Sequence, residues 1–171
     1  MSILEHALQY ADRGWSVFPV YGIENGQCTC GNSDCSSAGK HPMTSGGCKD
    51  ASIDPAQVNE WWRCNPKANI GIATGQVSGL VVIDVDDGVS KQGFESLQNL
   101  ETRNEPLPRD FVVRTGGGGL HIYLAAPENN IRNSAGKIAP NIDVRGDGGY
   151  VVAPPSLHIS GKAYTWEMLH A

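Results

Sequence analysis

The sequence predicts an α+β domain built around a largely antiparallel sheet. Three observations carry that expectation. The chain has 171 residues, a length that suits one domain. From residue 69 onward, short runs of alternating apolar residues alternate with glycine-rich turns, and one helical stretch interrupts them. Hairpins mixed with a helix in this way build an antiparallel sheet with helices packed on it. Before that point lies a long polar loop that needs a staple or a function to stay ordered.

The elements follow in order. Ser2 and Glu5 form a capping-box pattern, and Ile3, Leu4, Ala7, Leu8 and Ala11 fall on one helical stripe up to Gly14. Trp15 to Val20 reads as a strand, and Pro19 places it near an edge or end. Residues 26–50 are rich in Gly, Ser and Cys and show no apolar period. A second helix starts at Asp54 or Pro55, runs through Val58, Trp61 and Trp62, and stops before Pro66. Asn69 to Thr74 is a strand, and Leu80 to Asp86 is the clearest strand of the chain. Ser90 to Arg103 reads as a helix with Phe94, Leu97 and Leu100 inward. Asp110 to Thr115 and His121 to Ala125 flank a glycine run, and Ile142 to Arg145 and Tyr150 to Ala153 flank another. Tyr164 to Trp166 reads as a last short strand.

Bulk composition sets limits. Forty per cent of residues are apolar, enough for a sizeable core. The net charge of −5 argues against broad binding to a phosphate backbone, which needs a basic surface. No apolar run is long enough to span a bilayer, and no basic stretch precedes an apolar one at the N-terminus. The expected location is therefore cytoplasmic, with no membrane partner. Five cysteines in such a chain read as metal ligands rather than disulfides.

The segment Leu80-Val-Val-Ile-Asp-Val-Asp-Asp87 carries the main chemistry. Side chains alternate across a strand, so Asp84 and Asp86 share one face while Val81, Ile83 and Val85 share the other. Two close carboxylates repel unless positive charge sits between them. Mg²⁺ or Mn²⁺ meets that need, because hard cations take oxygen ligands. The pattern suits two-metal chemistry at a phosphate. An isolated D-x-D also fits a strand that ends in a solvated acidic turn. Asp143 and Arg145 then share a face on a second apolar strand, setting an acid for metal beside a base for phosphate.

In Arg114-Thr-Gly-Gly-Gly-Gly-Leu-His121, glycines let a ligand approach the backbone closely. The N–H groups from Thr115 through Gly117 to Gly119 can cradle a phosphate, and His121 can donate to one. The bland alternative is a flexible hairpin loop with a rim histidine.

Cys28, Cys30, Cys35 and His41 give C-x-C-x4-C-x5-H, a ligand set that matches a closed tetrahedral zinc site. Cys48 is the alternative fourth ligand, and free thiols on a mobile loop are the bland reading. Cys64, beside Trp61 and Trp62, reads as core, and His6, His158 and His170 as surface or terminal residues.

Taken in order, these pieces resemble the bifunctional primase–polymerase (Prim-Pol) domains of the archaeo-eukaryotic primase superfamily. The matching segments are Ala11–Pro19, Gly39-Lys-His-Pro42, Asn69–Gly75, Ser78–Asp86, Thr115–Tyr123 and Asp143–Ser156. The resemblance implies one catalytic domain over residues 1–171, with a zinc loop at 26–50 and a catalytic sheet over 69–171 related to the RNA-recognition motif and packed on an N-terminal α/β module. It implies template-directed nucleotidyl transfer by a DNA primase/polymerase, in the replication of a plasmid, phage or other mobile element. By the same resemblance Asp84, Asp86 and Asp143 hold two metal ions, His121 contacts the nucleotide, and Arg145 and Lys40 contact its triphosphate. Single-stranded template and primer, nucleoside triphosphates and a helicase would be partners. The second motif of the family commonly begins with serine, where this chain has Gly119. Two other classes use the same features: a two-metal nuclease or phosphodiesterase, and a non-catalytic zinc module that holds nucleic acid.

Overall fold

The computed structural model describes residues 1–167; His170 lies outside them. Helix α1 spans Ile3–Asp12, and the Ser2 side chain accepts from the Glu5 N–H while Glu5 accepts from the Ser2 N–H, as the capping box requires. Strand β1 is Val17–Val20, followed by a small hairpin of β2, Ile23–Glu24, and β3, Gln27–Cys28. Helix α2, Pro55–Cys64, opens with the Asp54 carboxylate accepting from the Ala56 N–H, and Pro55 stands in its first turn. Strand β4, Asn69–Ala73, is buried at every position, and β5 follows at Leu80–Val85.

A second small hairpin pairs β6, Asp87–Gly88, with β7, Lys91–Gln92, ahead of helix α3, Gly93–Arg103. The remaining strands are β8, Phe111–Arg114; β9, Leu120–Ala125; β10, Ser134–Ala139; β11, Ile142–Arg145; β12, Tyr150–Ala153; and β13, Thr165–Glu167. No described helix is long and apolar enough to cross a membrane.

The strands form two main sheets, and every pairing in them is antiparallel. One has the order β1-β4-β12, the other β10-β11-β5-β9-β8-β13. Pro19 lies on edge strand β1, where its missing N–H costs no ladder bond. The stretch over 69–171 is therefore divided, since β4 and β12 pair with β1 and not with β5 or β11.

Alternation along β5 builds two cores. Val81, Ile83 and Val85 pack with Leu97 of α3, Ile122, Ile142 and Val144 on the outer face. Leu80 and Val82 face inward and join a larger core with Phe18, Ile70, Ile72, Trp62 and Tyr123. Phe18 is fully buried; it lies over Gly71, its register partner, and edge-on to Tyr150 at 5.2 Å. A β-carbon at residue 71 would run into the Phe18 ring.

Four expectations are corrected. β11 and β12 do not pair with each other but belong to different sheets. Edge strand β10 escapes the alternation pattern because most of its residues are exposed. Phe94 is exposed rather than inward, and the Arg114 guanidinium lies 5.9 Å from its ring centroid. Cys64 is exposed beside Glu60, because α2 buries Val58 and Trp62 instead.

Replacing Phe18 with alanine empties a site walled on both sides, and should cost ~3–5 kcal/mol in urea unfolding.

Candidate functional site

The acids gather because of strand register. β11 pairs with β5 so that Asp143 stands opposite Asp84, and β9 pairs on the other side so that His121 also stands opposite Asp84. Arg145, one alternation step from Asp143, reaches across. Its Nη2 donates to Asp84 Oδ2 and to Asp143 Oδ2, both at 2.9 Å. His121 Nε2 lies 3.4 Å from Asp84 Oδ1. Burial pushes the Asp84 carboxyl up, but His121 and Arg145 outweigh it and hold the group at about 2. Asp143 also accepts the Gly136 N–H at 3.0 Å. Asp86, just past the end of β5, is half exposed and pairs with Lys91 Nζ at 2.6 Å.

These groups open onto a cleft of about 550 Å³ between the two sheets. Asp84, Asp86, His121 and Arg145 line it from the six-stranded side, and Tyr150, Val151 and Val152 from the three-stranded side. Thr115, Gly117, Gly119 and Lys40 line it too. Every nucleotide-site residue expected from the sequence thus faces one cavity. Asp143 is not on its wall and meets it through Arg145.

Gly119 is tightly placed. A β-carbon there would run into the Val85 carbonyl, so this backbone has no room for the serine that begins the motif elsewhere. His121 is buried, and its Nδ1 has no hydrogen-bond partner.

Among the lining residues that sequence reasoning missed are Lys91, Tyr164 and Asn133. Lys91 comes from the β6–β7 hairpin, which reads as part of a helix in sequence. Tyr164 lies beside His121 with ring centroids 5.9 Å apart and planes tilted by 37°, and Asn133 accepts the Gly146 N–H at 2.8 Å. No local pattern marks Tyr164 or Asn133, whose partners His121 and Gly146 lie well along the chain, and Lys91 is masked by the helical reading of its segment. His158 packs beneath the glycine run, where a β-carbon at Gly116 would strike its own, so it is more than a surface residue.

The cysteine loop forms a second site. The ligand atoms of Cys28, Cys30, Cys35 and His41 all lie within 4.8 Å of one another. His41 Nε2 is 3.4 Å from Cys28 Sγ and 3.5 Å from Cys35 Sγ. Thiolates at about 2.3 Å from a shared zinc ion require that closeness, so the donor set and spacing fit the ion. Burial raises the Cys28 thiol, but N–H donation from Cys30 and Gly39 and the His41 contact bring it down to about 6. Cys48 does not join; its thiol donates to the Gly148 carbonyl at 3.5 Å. His41 is therefore the fourth member.

A model of the N-terminal domain of bifunctional DNA primase/polymerases matches residues 7–169. The chain belongs to the Prim-Pol family. No individual curated protein matches it. Prim-Pol membership points to nucleotidyl transfer, with DNA and nucleotides as substrates and divalent metal as cofactor.

The carboxylates fit hard divalent cations in donor chemistry. Their placement adds a detail. Among the described residues, the one group of three or more potential ligands this closely gathered is the cysteine cluster. The guanidinium of Arg145 supplies the positive charge that Asp84 and Asp143 need, and Lys91 does the same for Asp86.

Two outcomes are expected. Asp84 has a depressed folded pKa, so its contribution to stability is present above its unfolded value near 3.9 and fades as pH falls through the folded value. The advantage of the wild type over Asp84→Asn, roughly 2 kcal/mol at neutral pH, should shrink between about pH 4 and pH 2 in urea titrations. Elemental analysis should find about one zinc per chain; Cys35→Ser should lose it and Cys48→Ser should keep it.

Proposed function

We propose that this chain is a template-dependent nucleotidyltransferase, a DNA primase/polymerase that uses two divalent ions, Mg²⁺ or Mn²⁺, held by Asp84, Asp86 and Asp143. The observation that carries the reading is the single cleft, where acids, cations and a glycine-rich loop face one another. Phosphoryl transfer asks for this mixture, since its catalysis is mostly positioning and charge neutralisation.

The reaction joins a primer 3′-hydroxyl oxygen to the α-phosphorus of an incoming nucleotide. The α–β phosphoanhydride bond breaks, pyrophosphate leaves, and the hydroxyl proton passes to solvent. When bound, the two ions lower the pKa of the attacking hydroxyl and offset charge on the leaving phosphates. Arg145 and Lys91 are salt-bridged to the acids and also face the cavity, so both can turn from carboxylate to phosphate. Lys40 adds a third cation to the same wall. The Thr115 N–H closes the turn onto the Gly119 carbonyl and the Gly118 N–H onto the Thr115 carbonyl, so the N–H of Gly117, on the cleft wall, is the one placed to serve a phosphate oxygen. His121 lines the cleft with its Nε2 3.4 Å from Asp84 Oδ1, which places an imidazole beside the acid where a nucleotide contact is needed.

The reading treats residues 1–171 as one catalytic domain acting on a single-stranded template with a primer, in the replication of a mobile element. Along the chain, β5, β8, β9 and β11 come in that order, with α3 after the first. In the sheet they lie fourth, first, third, second, which supports kinship with the RNA-recognition motif.

Primer extension with each nucleotide type under Mg²⁺ and Mn²⁺ tests the reading. Asp84→Ala with Asp86→Ala should abolish extension, a loss of at least about 10³-fold, while circular dichroism stays unchanged. Retained extension would sink it.

A further inference from the structure

The two sites are joined by three consecutive residues, Gly39, Lys40 and His41. His41 is a member of the Cys3His group, and Lys40 lines the cleft with Asp84 and Asp86. The backbone between them is tied on several sides. The Gly39 carbonyl accepts from Asn69 Nδ2 at 2.9 Å, and the Lys40 carbonyl accepts from the Tyr150 hydroxyl at 2.9 Å. The Lys40 N–H donates to the Ser37 carbonyl at 3.0 Å, within the loop that the cysteines close. The His41 carbonyl accepts from the Tyr21 N–H at 3.0 Å, and its ring stacks on Tyr21 with centroids 4.5 Å apart. Gly39 adopts φ 73°, a conformation that suits glycine and turns the chain sharply at this point.

We propose that the Cys3His centre positions Lys40 in the cleft, so that zinc occupancy sets the affinity of the cleft for a nucleoside triphosphate. This inference rests on the nucleotide reading of the cleft. A lysine side chain is flexible, and its ammonium works as a mobile point charge. What the protein can fix is where its backbone starts. Here that start is held on the cleft side by Tyr150 and on the loop side by the metal ligand that follows it. Without the ion, Ser37 and His41 lose the closure that binds them to Cys28 and Cys35, and only the hydrogen bonds to Asn69, Tyr150 and Tyr21 hold the segment. A staple remote from the site would alter stability and leave ligand affinity alone.

The test compares zinc-loaded and zinc-stripped protein, wild type and Lys40→Met, with the chelator removed before measurement. Binding of a fluorescent nucleoside triphosphate in Mg²⁺ is the readout, zinc is counted by elemental analysis, and circular dichroism reports the fold. The wild type should lose about tenfold in affinity on stripping. Lys40→Met should bind more weakly at the outset and change less than about twofold. Equal losses in both backgrounds overturn the inference while leaving the nucleotide reading intact. Absence of saturable binding by zinc-loaded wild type overturns both.

If stripped protein loses its fold, Tyr150→Phe replaces stripping in the same comparison. It removes the hydroxyl that holds the Lys40 carbonyl and leaves the zinc ligands untouched. It should weaken binding by the wild type and not by Lys40→Met, and equal effects again overturn the inference.

Discussion

Asp84 and Asp143 stand opposite each other on paired strands, and a guanidinium holds both. Much of the molecule follows from making that arrangement possible. Two carboxylates turned toward the interior of a domain are costly unless paired and hydrogen-bonded. Arg145 meets that demand only because it sits two residues after Asp143 and thus on the same face. The outer faces of β5 and β11 are apolar for the same reason. They lock onto Leu97 and Ile122, and a one-residue slip would drive Asp84 into that apolar layer. Register, charge pairing and the position of the cleft are therefore a single constraint seen from three sides.

The end of β5 shows how close packing of backbone shapes the site. Residue 119 approaches the Val85 carbonyl so closely that only glycine fits. Glycine at 119 lets the loop lie nearer the acid strand than a side chain permits. What the loop offers a ligand is then N–H groups, and the carboxylates and the glycine run share one wall.

Side-chain alternation made the faces of β5 and β11 legible from sequence, and with them the meeting of Asp84 and Asp143 on Arg145. The helix caps at Ser2 and Asp54 were legible too, because capping is chemistry within four residues. Partner choice was not. β11 and β12 read as neighbours around a glycine turn, yet the turn carries the chain from one sheet to the other. Alternation reports which way side chains point and says nothing about which strand lies alongside. The same limit hid Tyr164 and Asn133, whose places in the cleft depend on contacts distant in sequence, while Lys91 was hidden by a local misreading of its hairpin as helix. The fourth position of the cysteine site was left open between His41 and Cys48 by spacing alone, and the turn toward Gly148 removed Cys48.

The acidic total of the chain, −5, sits oddly with a polyanionic substrate until charge is read locally. Lys40, Lys91 and Arg145 all face the cleft, and two of them are engaged with its acids. Exposed charges beyond about 10 Å are screened at ordinary salt, so the cations lining a cleft outweigh distant surface acids for a ligand inside it. Broad attraction to a nucleic-acid backbone has no such shelter, because it depends on the outer surface. The acids on the same wall, Asp84, Asp86 and Asp87, match those three cations in number, so on the proposed reading it is the bound divalent ions that would supply the surplus positive charge a triphosphate meets.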